Sequence, residues 1–186
     1  MADAPFVIDS FEPTVDLKVS FYAPGGADVQ EGAQLSVQQV SLPPSLSISG
    51  AAPETLFTVL LTDPDAPSVE DPKFGEFAHW VAVNATAADV LGSCETIVAY
   101  HGSSPGPGSG LHRYCLVLYA QPGRIACDEP RVGPTSGFPP RRHFKQKSFA
   151  GKYGLTPVAV RTYRCEFDAE WQPLMAAKVQ GLAPPA

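Results

Sequence analysis

Five polar side chains stand where apolar runs begin or end. Asp63 and Asp65 close the run Leu56–Thr62, and His79 opens a run to position 84. His112 and Arg113 open the run 112–119, directly after the glycine-rich stretch Gly102–Gly110. Taken singly, each histidine reads most simply as a hydrogen-bonded structural residue. Together, two imidazoles at strand starts and a carboxylate at a strand end can converge at one end of a β-scaffold, where loops build sites. Imidazole and backbone N–H donors suit phosphate or sulfate, and the carboxylate can orient a histidine or receive an ammonium group. The rival chemistry is a His/His/Asp zinc site, since neutral imidazoles and a carboxylate also suit that metal.

Two further motifs carry less. Gly102-Ser-Ser-Pro-Gly106 fits the G-x-S-x-G elbow of serine hydrolases, with Asp128 and His143 following in hydrolase order. That elbow needs a strand before Ser104 and a helix after it, and the Pro and Gly residues at 105–110 prevent a helix. Gly106-Pro-Gly-Ser-Gly110 resembles a phosphate loop but lacks the strand–loop–helix setting that gives such a loop meaning.

The elements that must position these residues are mostly strands. Val15–Phe21 and Val158–Phe167 alternate apolar and polar, while Leu56–Thr62, Trp80–Val83 and Tyr114–Tyr119 are short runs of β-formers. Turn residues separate them: Pro24-Gly25-Gly26, Pro43-Pro44, Asp63-Pro-Asp-Ala-Pro67 and the Gly102–Gly110 loop. Helical spacing shows only in Arg142–Gly154 and in Glu170–Gln180. The expectation is a mainly β chain: one domain over residues 1–186, an antiparallel β-sandwich of two sheets with short peripheral helices.

Composition agrees. The 186 residues are 44% hydrophobic and only 17% charged, which fits a folded domain; 16 Gly and 20 Pro argue for many turns and against a helical bundle. No apolar run is long enough to span a membrane, and the start has an acid where a leader peptide needs bases, so the cytoplasm is the expected location. Cys94, Cys115, Cys127 and Cys165 form no CxxC pair and read as reduced thiols. The net charge of −6 hides an asymmetry. Residues 1–110 hold 14 acids and two bases, and no acid lies between Glu129 and Glu166, a stretch that carries eight bases. That stretch can face an acidic partner or simply meet the chain's own acidic half. A pI near 5.1 argues against bulk nucleic-acid binding.

Residues 57–79, Phe-Thr-Val-Leu-Leu-Thr-Asp-Pro-Asp-Ala-Pro-Ser, then ten intervening residues, then His79, resemble the signature of the phosphatidylethanolamine-binding protein family. Gly108-Ser-Gly-Leu-His-Arg-Tyr114 resembles its second motif, and Cys127-Asp-Glu-Pro130, Phe144…Phe149…Tyr153-Gly-Leu155 and Pro157-Val-Ala159 are further echoes. The Asp-Glu-Pro and Leu-His-Arg-Tyr variants lean toward the Raf kinase inhibitor-like branch.

This resemblance implies a small cavity that binds phosphate or a phosphorylethanolamine headgroup. The expected lining is Asp63, Pro67, Phe74, Phe77, His79, Tyr100, Gly102, Ser104, Pro105, Gly110, His112 and Tyr114. It also implies a regulatory role, non-enzymatic and without cofactor, through a partner such as a kinase or serine protease, with peripheral membrane contact. A hydrolase or metal enzyme built on the His/His/Asp set is the alternative. One cis bond, at Ala66–Pro67, is expected on the same ground. Departures from the family pattern are Ala78 before His79, Ser104 in the loop, and the segment 171–186. Two further expectations concern charge: that both cavity histidines donate to an anion, and that Arg141, Arg142 and Lys145 form an exposed docking patch.

Overall fold

The structure, a computed structural model, describes residues 8–23, 25, 26 and 28–170. Strands β1 (Asp16–Ser20), β2 (Ala33–Gln34), β3 (Ser45–Ser49), β4 (Leu56–Asp63) and β5 (Phe77–Thr86) are followed by the short helix α1 (Val90–Ser93). Strands β6 (Glu95–Val98) and β7 (His112–Ala120), helix α2 (Gln146–Lys152) and strand β8 (Thr156–Cys165) complete the order among the described residues, with a 3-10 turn at Pro139–Arg141. β1 and β3 pair into a two-stranded antiparallel sheet. The other six form one sheet in the order β2-β8-β7-β4-β5-β6. All its pairings are antiparallel except that of β2 with β8.

The large sheet is covered on both faces, which is why Leu56–Thr62 reads as an unbroken apolar run and not an alternating one. Phe57, Val59 and Leu61 of β4 join Tyr114, Leu116 and Leu118 of β7 in a core beneath the two-stranded sheet, with Leu17 and Val19 of β1 opposite. Leu60, Val117 and Tyr119 point the other way, against Ile8, Phe149, Ala150 and Leu155. β4 and β7 thus divide their side chains between two cores, as a period of two requires.

The sequence expectation placed one helix over Arg142–Gly154; the helix itself is confined to Gln146–Lys152. Residues 142–145 stay out of the helix, with a turn at 142–143 and His143 at a φ of +58°, because they bond to another segment: the His143 and Phe144 N–H groups donate to the Phe74 and Glu76 carbonyls at 3.1 and 2.9 Å. Strands β2, β3 and β6 were not expected: β2 and β6 are too short to show a period, whereas β3, Ser45-Leu-Ser-Ile-Ser49, alternates polar and apolar and sequence reasoning missed it. The expected helix 170–180 lies outside the described residues. Ala66–Pro67 is cis, as expected.

The docking patch is corrected. Arg141 is buried, with 2% of its surface exposed. Its guanidinium donates to the carbonyls of Ala78, Ala99 and Gly133 at 3.1, 2.8 and 3.3 Å, tying β5 to the loop after β6. Lys147 pairs with Asp9, and Lys152 with Asp128 and Glu129, so much of the basic stretch meets the chain's own acids. Arg141→Ala strands three carbonyls at once, and bonds to a charged donor contribute about 1.5–3 kcal/mol each. Urea unfolding is therefore expected to show a loss of about 3 kcal/mol or more for Arg141→Ala. Lys147→Ala, which removes a surface pair, should stay within about 1 kcal/mol.

Candidate functional site

A cavity of about 220 Å³ opens where β4 ends and β7 begins. The register explains who reaches it. Along β4 the odd positions face the core under the small sheet, so Asp63 continues the row Phe57–Val59–Leu61 to the edge. On β7 the even positions share that face, so His112 and Tyr114 stand beside it. β5 needs a device. Leu61 pairs with Trp80 but Thr62 pairs with Ala78, so His79 is an extra residue, a bulge. Strict alternation from Trp80 would send His79 to the opposite face. The bulge instead aims it, with Phe77, into the cavity.

His112 and Asp63 form the floor. The His112 Nδ1–H donates to Asp63 Oδ2 at 2.8 Å, and both side chains are almost wholly buried. Asp63 Oδ1 accepts from the Asp65 N–H at 2.8 Å. On its far side, His112 Nε2 lies 3.0 Å from the Ser109 hydroxyl. That hydroxyl already donates to the Gly106 carbonyl at 2.7 Å, so it can only accept from His112. Both imidazole nitrogens therefore donate, which is the imidazolium form. Burial alone pushes His112 down, but the hydrogen bond and charge of Asp63 outweigh it and the net shift is up. Burial opposes a lone Asp63 carboxylate and pushes it up, against the pull of His112. Both directions say the same thing: the pair holds on to one proton. Asp65 is fixed just outside, accepting the Arg113 Nε and Nη2 donors at 2.9 and 2.6 Å.

His79 is the opposite kind of histidine. Its Nδ1–H donates to the His101 carbonyl at 2.7 Å, while burial, with the His101 ring and Arg141 adding to it, pushes its pKa well below 6.5. The ring is neutral, and its Nε2 carries a lone pair. His101, stacked on it at 5.8 Å, is lowered to about 4 by burial and lies 3.1 Å through Nε2 from the Ser104 hydroxyl. Phe77, Phe138 and Tyr114 complete an aromatic wall around these rings. At the mouth the Arg142 guanidinium lies over the Phe74 ring, 4.0 Å from its centroid.

Of the residues expected from sequence, Asp63, Pro67, Phe74, Phe77, His79, Ser104, Pro105, His112 and Tyr114 line this cavity. Three do not. Tyr100 turns the other way, its hydroxyl donating to the Val40 carbonyl at 2.7 Å, while its neighbour His101 packs behind His79. Gly102 and Gly110 are outside the lining; Gly110 serves the turn, at a φ of +89°. The loop residues that do line it are Ser104, Pro105 and Gly106, and with proline lacking an N–H only two backbone donors are on offer. The expectation that both histidines donate to an anion is also corrected, since His112 spends both N–H groups internally and His79 presents an acceptor. Sequence reasoning missed His101, Phe138 and Arg142. Arg142 was visible only as one of a run of bases, and Phe138 as an apolar residue among Gly and Pro.

The serine triad does not assemble. Ser104 faces His101, while Asp128 bonds Tyr153 and Lys152, and His143 packs edge-on against Phe74. Among the described residues, no three His, Cys, Asp or Glu side chains gather as a metal set.

A family model described as phosphatidylethanolamine-binding protein matches residues 25–162, well over half of the chain. The chain belongs to that family. It is 36% identical over 155 residues to protein MOTHER of FT and TFL1 homolog 2 of Oryza sativa subsp. japonica, with 83% of each chain covered. Among solved structures it is similar to a carboxypeptidase Y inhibitor complexed with its cognate proteinase, at 26% identity and a TM-score of 0.70, covering 84% of this chain and 85% of that one. The phosphatidylethanolamine-binding protein of Plasmodium vivax shares the fold, at 22% identity and a TM-score of 0.73, over 90% of this chain and 94% of that one. In this member of the family, the two motifs seen in the sequence supply the floor: Asp63 from one, His112 from the other.

The raised His112 fixes the sign of a pH effect. Stability from the pair is in full force just below the unfolded histidine value, about 6.5, and is lost as pH rises through the higher folded value. Asp63→Asn removes the carboxylate. The stability gap between wild type and Asp63→Asn should be widest near pH 6 and narrow toward pH 9, as read by urea unfolding at each pH.

Proposed function

We propose that this cavity binds the phosphorylethanolamine end of a phospholipid, or a related small phosphodiester, and that the protein regulates a partner without turnover. The observation that carries the reading is the pairing of two unlike groups across a small aromatic space: the neutral His79 with an open acceptor within, and the Arg142 cation at the mouth. An ammonium or hydroxyl donor suits the first, and a phosphoryl oxygen the second. The floor adds no net charge, because the His112 imidazolium and the Asp63 carboxylate cancel. About 220 Å³ holds roughly seven waters at about 30 Å³ each, enough for a headgroup and below the 300–1,000 Å³ of drug-sized pockets. Acyl chains would have to stay outside, which is how peripheral membrane contact would arise.

Turnover is disfavoured on chemical grounds. The one histidine beside Ser104 is His101, and a base lowered to about 4 takes few protons near neutrality. The kind of partner follows from similarity: the inhibitor in the carboxypeptidase Y complex acts on a proteinase, which supports a protease partner here, with a kinase as the second candidate.

Calorimetry with glycerophosphoethanolamine tests the binding reading. Wild type should bind it more tightly than it binds glycerol 3-phosphate, and Arg142→Ala should weaken it about tenfold, or 1.4 kcal/mol. No binding, or binding indifferent to Arg142→Ala, would refute the assignment. A fluorophosphonate probe should leave Ser104 unlabelled; stoichiometric labelling would replace the reading with a hydrolase.

A further inference from the structure

The loop that reaches the cavity is short of hydrogen-bond donors. Ser104, Pro105 and Gly106 line it, and Pro105 has no N–H. The unesterified oxygens of a phosphodiester take several hydrogen bonds, and the Ser104 and Gly106 N–H groups with one guanidinium leave part of that capacity unused. The Ser104 side chain stands at this gap. It lines the cavity, and its Oγ lies 3.1 Å from Nε2 of His101, which is outside the lining. The hydroxyl therefore sits between that ring and the cavity. Ser104 is also one of the positions where this chain departs from the family pattern, which makes the hydroxyl a feature of its own.

The ring behind Ser104 is held on every side. The His101 N–H donates to the His79 carbonyl at 2.8 Å, and the His79 Nδ1–H returns a bond to the His101 carbonyl at 2.7 Å. The ring packs among His79, Phe77 and Phe138, at centroid distances of 5.8, 6.4 and 5.3 Å. Nε2 is thus a fixed point against which the hydroxyl turns. A serine hydroxyl has one hydrogen to give, and a neutral imidazole has one N–H and one bare nitrogen. His101 is neutral, since burial lowers it to about 4. Two arrangements follow. With the proton on Nε2, His101 donates to Oγ and the hydroxyl hydrogen is left for the cavity. With the proton on Nδ1, the hydroxyl gives its hydrogen to Nε2 and shows the cavity only lone pairs. The first supplies, beside the two backbone N–H groups, the donor that Pro105 lacks. The second turns one more acceptor against a phosphoryl oxygen.

We propose that the Ser104 hydroxyl is a ligand-contacting donor to a phosphoryl oxygen, and that His101 is the positioning residue that aims it, by donating from Nε2. The proposal rests on the headgroup reading above and adds a specificity to it. This loop recognises the phosphoryl end, so a phosphodiester gains from the hydroxyl whether or not it carries an amine.

Calorimetry with two probes tests it: glycerophosphoethanolamine, and ethyl glycerophosphate, the same diester without its amine. Ser104→Ala should weaken both about fivefold, the scale of one neutral hydrogen bond. His101→Phe keeps a ring in place and removes Nε2. It should weaken binding about twofold in wild type and leave Ser104→Ala unchanged, because the two residues act through one bond. An equal loss in both backgrounds overturns the positioning role. Should His101→Phe fail to fold, nitrogen NMR of His101 in the wild-type complex decides: a proton on Nε2 with Nδ1 bare supports the proposal, and a bare Nε2 overturns it. Weakening of the amine-bearing probe alone means that the hydroxyl accepts from the ammonium, which also overturns it. Both probes bound as well by Ser104→Ala as by wild type overturns the contact and leaves the headgroup reading standing. Wild type that binds neither probe overturns both.

Discussion

The bond between Asp63 and His112 is the contact on which the cavity depends. It joins the last residue of β4 to the first of β7, and the Asp65–Arg113 pair just outside it is the second side-chain tie between the same two strand ends. A carboxylate and an imidazolium in so dry a place are tolerable only together: each alone would leave an uncompensated buried charge, a defect worth about 3–5 kcal/mol. The surrounding bonds keep them together. The Asp65 N–H holds one carboxylate oxygen, and Ser109, locked by Gly106, holds the far side of the ring. The glycine-rich loop is thus tethered to the floor through Ser109, and Ser104 and Pro105 reach the cavity from there.

From that floor the two histidines divide the work. His112 is charged, satisfied and structural in effect, and its field is cancelled by Asp63. His79 is neutral, because burial and the neighbouring positive groups make a charge untenable, and its free nitrogen faces inward. The cavity therefore asks its ligand for a donor deep inside and an anion at the rim. The bulge at His79 makes this possible, since the same ring one residue out of phase would be buried in the second core.

How much of this was legible depends on the interaction. Strands β1, β4, β7 and β8 were visible because runs of apolar and β-branched residues are long there. Asp63 and His112 were visible as polar residues that break such runs. β2 and β6 were not, because two to four residues cannot display a period. His79 was found by type and position, yet its reach into the cavity depends on an unpaired residue in the ladder, which no pattern of side chains announces. Arg141 misled for a physical reason: an arginine among bases looks solvated, and only the three-dimensional convergence of the Ala78, Ala99 and Gly133 carbonyls makes burial affordable. Tyr100 and His101 show the limit of one-residue resolution, since neighbours on an extended chain point to opposite sides.

The protonation of His112 is the most direct test. Nitrogen NMR of the imidazole at pH 6 should show both Nδ1 and Nε2 carrying protons, with the imidazolium persisting above the ordinary histidine value of about 6.5. A spectrum with one bare ring nitrogen on His112 below pH 6.5 would contradict the account, because the floor would then hold an unpaired buried carboxylate and the charge balance of the cavity would be lost.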